Sequence, residues 1–177
     1  MGIDSGRVHV LRLELHVDGP EDGEPQSPIP LSAWGAFGRV LEGELASLYP
    51  EIPRYGTVEL SVTLLGPDEM RTVNREYRER DEATDVLSFP LWEVDGRFVP
   101  DGALTELLPL GDILICPEEL VRLHEGLPPE DALCLVLAHG FLHLLAWDHD
   151  TEERESAMWA RQDAVKQRLL DVLRGGH

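Results

Sequence analysis

The segment DALCLVLAHGFLHLLA, residues 131–146, is apolar on nearly every side when wound as a helix. A helix of this kind has no face to give to solvent, so other elements must surround it and it becomes the central helix of the fold. Its longest unbroken apolar run, around Leu133 to Ala138, falls far short of the ~20 residues that cross a bilayer, which excludes a membrane span. The rest of the chain must therefore supply a soluble envelope. With 177 residues and a hydrophobic fraction of 42%, it is long and apolar enough to do so as one domain, residues 1–177.

The envelope is legible in the flanking patterns. RVHVLRLELHV, residues 7–17, alternates like a strand, with a phase slip at Val10-Leu11 that predicts a bulge. The Pro/Gly/acid-rich residues 18–30 read as a loop. Trp34, Phe37, Leu41, Leu45 and Leu48 share one helical face over 31–48, and Val58, Leu60, Val62 and Leu64 alternate as the cleanest strand. A helix capped by Asp68 is expected to about Arg80, then a short strand from Val86 to Leu91 whose proline assigns it to an edge or terminus. Asp95-Gly96 and Asp101-Gly102 predict a hairpin or loop over 93–109, followed by a strand from Gly111 to Cys116 and a short helix from Pro117. The central helix begins near Pro129, and a last helix starts near Thr151, where Asp150 and Glu153 have capping-box spacing. These elements predict an α/β (α+β) fold, a single layer of helices packed on a small mixed four-stranded sheet. Cys116 and Cys134 sit in apolar surroundings and read as free buried thiols, and the N-terminus lacks the order of a signal peptide, so the cytoplasm is the expected compartment.

The central helix carries chemistry. In HGFLHLLAWDH, residues 139–149, His139 and His143 are four apart and so emerge from one helix face, one turn apart. His149 follows where the chain can leave the helix and fold back. Three histidines with an open fourth position describe a catalytic metal site, with one zinc ion expected, although the same donors suit nickel, copper or cobalt. Metallopeptidases of the H-E-x-x-H type place their general base beside the first histidine; here that position is Gly140, which cannot take a proton.

HGFLHLLAWDH resembles the H-G-x-L-H-L-x-G-Y-D-H signature of the YbeY family of endoribonucleases. Asn74, Tyr77 and Arg78 in VNREYR, TDVLSFP at 84–90 and LGDILI at 110–115 resemble further blocks of that family, in order, over about residues 57–150. The resemblance implies a zinc-dependent endoribonuclease of single-stranded RNA, acting in ribosomal RNA maturation at the 16S 3′ end and in ribosome quality control. Ribosomal small-subunit proteins or an assembly GTPase are its implied partners. It also assigns the metal to His139, His143 and His149 and a catalytic role to Arg78, whose planar guanidinium can hold two phosphate oxygens. Two positions depart from the signature: its glycine is Ala146 and its tyrosine is Trp147. If that glycine serves a left-handed backbone, alanine costs about 1 kcal/mol there.

Charge sets the terms of any RNA contact. The net charge is −19, the opposite of what coating a polyanion requires. Residues 71–80 nevertheless hold Arg71, Arg75, Arg78 and Arg80 against Glu76 and Glu79, a local positive excess that fits one wall of a cleft. The alternatives to a nuclease are a metal-containing ribosome-assembly factor without turnover and, against the evidence of Gly140, a metallopeptidase. Asp148 and Asp150, flanking the third histidine, are candidates for an acceptor of an imidazole N–H or, for Asp150, for a helix cap.

Overall fold

A computed structural model describes residues 11–19, 26–52, 56–101 and 107–175. The phase slip at Val10-Leu11 and the Asp101-Gly102 turn lie partly outside them. Strand β1 (Arg12–Asp18) is followed by helix α1 (Leu31–Leu48), strand β2 (Thr57–Leu64) and helix α2 (Pro67–Arg78). Next come β3 (Val86–Pro90), the two short strands β4 (Glu93–Val94) and β5 (Arg97–Phe98), and β6 (Leu107–Ile115). Helices α3 (Pro117–Leu123), α4 (Pro129–Leu144) and α5 (Glu152–Gly175) complete the chain. No helix among the described residues is long and apolar enough to cross a membrane.

The four-stranded sheet has the order β1-β2-β6-β3, parallel except for β3, which pairs antiparallel at the edge. It is the small mixed sheet expected, and Pro90 sits at its edge because a strand with one neighbour tolerates a missing N–H. Val58, Leu60, Val62 and Leu64 of β2, with Leu108, Leu110, Ile113 and Ile115 of β6, turn one face toward α1, α4 and α5. The alternate residues Leu87 and Leu114 turn the other way and meet Met70 of α2 in a smaller cluster, so α2 covers part of the opposite face. Central α4 is buried on almost every side, as its composition requires.

Three local details differ from expectation. A break in register falls between Glu59 and Leu60, whose partners are Pro109 and Gly111, leaving Leu110 as the extra residue of a bulge in β6. Gly111 has φ 131°, and a Cβ there would lie 2.2 Å from the Phe89 carbonyl oxygen, so only glycine closes this part of the sheet. Helix α2 begins with Pro67 at its first position and no side-chain cap; Asp68 lies inside the first turn, where its charge favours the helix dipole instead. At α5 the cap is Thr151, whose Oγ1 accepts from the Arg154 N–H at 3.2 Å, while Asp150 binds the Arg154 guanidinium at 2.7 Å. One residue of displacement follows from chemistry: once Asp150 has a guanidinium partner, the neighbouring hydroxyl is free to cap.

Candidate metal centre and cleft

The last turn of α4 and the reversal after it build the site. Helix α4 ends in a left-handed turn: Trp147 N–H donates to the Leu142 carbonyl and Ala146 N–H to the His143 carbonyl, both at 3.0 Å. That pair of bonds is a Schellman motif, and its left-handed residue is Ala146, with φ 63°. The turn folds the chain back so that His149 returns to the face carrying His139 and His143. One ring nitrogen from each of the three lies within 4.8 Å of the others, so the three histidines marked in the sequence are brought together.

The donor set fits a metal ion. The Nε2 atoms of His139 and His143 approach to 3.0 Å, against ~3.3 Å between two nitrogens that share a tetrahedral zinc at 2.0–2.1 Å. His139 Nδ1 lies 2.7 Å from Gln162 Oε1 of α5. An amide oxygen only accepts, so the Nδ1 carries the proton and Nε2 is left with a lone pair for coordination. Burial pulls the His143 imidazole down to about 4, with the adjacent His139 ring adding to the effect, and burial also lowers His139. Both are therefore neutral, ligand-competent imidazoles near pH 7. Trp159 of α5 stacks beside His149 at 5.5 Å and beside His139 at 5.9 Å, closing one side of the centre.

Gln162 was not marked in the sequence, though it had a signal: it interrupts the apolar face of α5 formed by Met158, Val165 and Leu169. It takes the place expected of the flanking aspartates. Asp148 Oδ1 instead accepts the His149 backbone N–H at 2.8 Å, which stiffens the turn. Asp85 accepts from its own Val86 N–H at 2.8 Å and pairs with His124 at 2.7 Å, so it anchors the start of β3 to α3. Gly140 packs against the sheet, where an added Cβ would come within 3.1 Å of the Ile113 side chain.

Arg78 reaches the same place from α2. A cleft of about 240 Å³ is lined by Arg78, Ser88, Pro90, Glu93, His143, Trp147 and Asp148. Arg71 and Arg75 turn instead to Asp81, at 2.9 and 3.5 Å. Among the described residues no carboxylate forms an ion pair with Arg78, which leaves its guanidinium available to a ligand in the cleft.

A sequence profile described as Endoribonuclease YbeY matches residues 37–170, well over half of the chain. The chain belongs to the YbeY family. Endoribonuclease YbeY proteins of Staphylococcus aureus, strains JH9 and Newman among them, are 41% identical over 109 residues, covering 60% of this chain and 70% of theirs. The solution structure of a Thermotoga maritima protein shares the fold, with a TM-score of 0.51 at 24% identity over 92% of this chain and 93% of that one. The YbeY profile runs from within α1 through most of α5 and so includes Arg78, the three histidines and Gln162. As a member of an endoribonuclease family the chain is assigned to the hydrolases that act on RNA.

Proposed function

We propose that the chain is a metal-dependent endoribonuclease of single-stranded RNA, with zinc as the ion and 16S ribosomal RNA 3′-end maturation and ribosome quality control, in the cytoplasm, as its setting. The observation that carries this reading is the shared cleft: Arg78 from α2 and His143 from α4 line one opening beside the three-histidine centre. His139, His143 and His149 would hold the ion, which when bound supplies Lewis acidity and hydroxide near neutral pH. Gln162 holds His139 in the tautomer that presents Nε2. Arg78 binds the scissile phosphate and offsets the charge that gathers on its oxygens. The turn at Ala146 and the Asp148 bond to the His149 backbone keep the third ligand from swinging away. A single strand fits this arrangement because a cleft of about 240 Å³ takes one phosphate at a time between Arg78 and His143.

The test is cleavage of a single-stranded RNA by wild-type protein and by His143→Ala and Arg78→Ala proteins whose folding is confirmed by circular dichroism. Loss of cleavage in both variants is expected, and equal activity in all three proteins overturns the assignment. The charge of −19 favours a second reading, a ribosome-assembly factor docked on basic ribosomal proteins or an assembly GTPase. Metal content and co-sedimentation with small ribosomal subunits, with no RNA turnover, would distinguish it.

A further inference from the structure

On the other side of the Ala146 turn lies a second pocket, of about 370 Å³, that the metal centre does not use. It is lined by three aromatic side chains from distant parts of the chain: Tyr49 after α1, Phe98 in β5 and Trp147 in the turn. Two of them are held in place by contacts of their own. Tyr49 and Phe98 rings pack with centroids 4.8 Å apart, and the Tyr49 hydroxyl donates to the Leu145 carbonyl at 3.2 Å. Two arginines, Arg97 and Arg154, and one carboxylate, Asp148, are the charged residues of the lining. Asp150 occupies Nη1 of Arg154, whereas its Nη2 faces the hairpin at Gly96.

This combination matches a nucleotide. Flat aromatic walls bind a base by stacking, which is indifferent to base identity, and guanidinium groups bind the attached phosphate. The size lies at the lower end of the ~300–1,000 Å³ of small-ligand pockets, as one nucleotide requires. Its position matters most. Trp147 and Asp148 line both this pocket and the cleft of His143 and Arg78, so the two openings share a wall. We propose that the pocket receives the base of the nucleotide next to the scissile phosphate, while the phosphate itself lies against Arg78. Only the identity of the ligand rests on the nuclease reading; the pocket and its chemistry do not. The pocket thereby supplies grip that the acidic surface withholds, and it explains how a chain of charge −19 holds RNA without a broad basic face.

The experiment titrates adenosine 5′-monophosphate and ribose 5-phosphate against ¹⁵N-labelled protein, following backbone amide shifts, alongside the RNA cleavage assay. The monophosphate should shift Gly96, Phe98 and Ala146 and bind about tenfold tighter than ribose 5-phosphate, which lacks the base. In Phe98→Ala protein that advantage should vanish. Equal binding of the two ligands by wild-type protein, or shifts confined to the histidine centre, overturns the proposal even if RNA is cleaved. Selective binding in the pocket by a protein that cleaves no RNA upholds the pocket and overturns the nuclease reading instead.

Discussion

Replacing Ala146 by glycine removes one methyl group from a residue held at φ 63°, and the change should stabilise the protein. A left-handed conformation costs an L-residue about 1–2 kcal/mol, which glycine does not incur. Glycine forfeits about 0.4–1 kcal/mol through the greater freedom of the unfolded chain. Ala146 is itself buried but lines an open pocket, so deleting its methyl leaves no closed cavity and loses only part of the ~0.8 kcal/mol of a buried methyl. The net gain is about 0.5 kcal/mol, or about 1–2 °C in the thermal midpoint of a protein this size. Ala138→Gly is the control. Ala138 is wholly buried in right-handed α4, where the same change costs about 1 kcal/mol of helix propensity and about 0.8 kcal/mol of lost burial. Its midpoint should fall by roughly 4–8 °C. Differential scanning calorimetry of the two variants decides the matter: midpoints that move in the same direction refute the account of strain in the turn.

Gln162→Leu keeps the volume of a buried position but frees His139 Nδ1, and zinc affinity should fall about 10- to 100-fold with folding intact, read by competition with a chromogenic chelator. Unchanged affinity would show that the amide does not orient the ligand. Glu44 of α1 is 1% exposed and bound by Arg161 and Arg168 of α5. Replacing both arginines by methionine strands its charge and should cost about 3–5 kcal/mol in urea unfolding, with much of the loss recovered when Glu44→Met is added. No recovery would mean that the pairing is not what holds α1 to α5. The metal-free protein should lose stability in mild acid. His139 and His143 have depressed pKa values when folded, so below about 6.5 the unfolded chain binds more protons, and the loss continues for His143 to about 4. Thermal midpoints of chelator-treated protein that stay flat between about pH 7 and about pH 5 would contradict this.

The elements that announced themselves in the sequence were those whose own periodicity fixes their environment. The face of Trp34, Phe37, Leu41 and Leu45 was readable because each residue in it meets the same core. The alternation from Val58 to Leu64 was readable for the same reason, one side of the strand being wholly buried. The three histidines were legible because a helical turn and a short reversal bring them together locally. Gln162 escaped notice because its partner lies 23 residues away on another helix, and the Tyr49 bond to Leu145 spans 96 residues. Nothing in a local pattern encodes such meetings; they depend on how finished elements dock. The left-handed turn lies between these cases: the departure from glycine raised the question of backbone strain, and the φ of Ala146 answers it.

Gly140 has a consequence for the evolutionary reach of this scaffold. A metallopeptidase needs a carboxylate beside the first histidine, yet here that direction leads into Ile113 and the sheet. A carboxylate side chain installed at position 140 must first make the Ile113 side chain give by a few tenths of an ångström at the contact of α4 with β6. The step from this centre to a peptidase is thus opposed by packing before it is opposed by chemistry. A lineage built on this helix–sheet contact is free to vary its clefts and loops but is held away from that neighbouring trade.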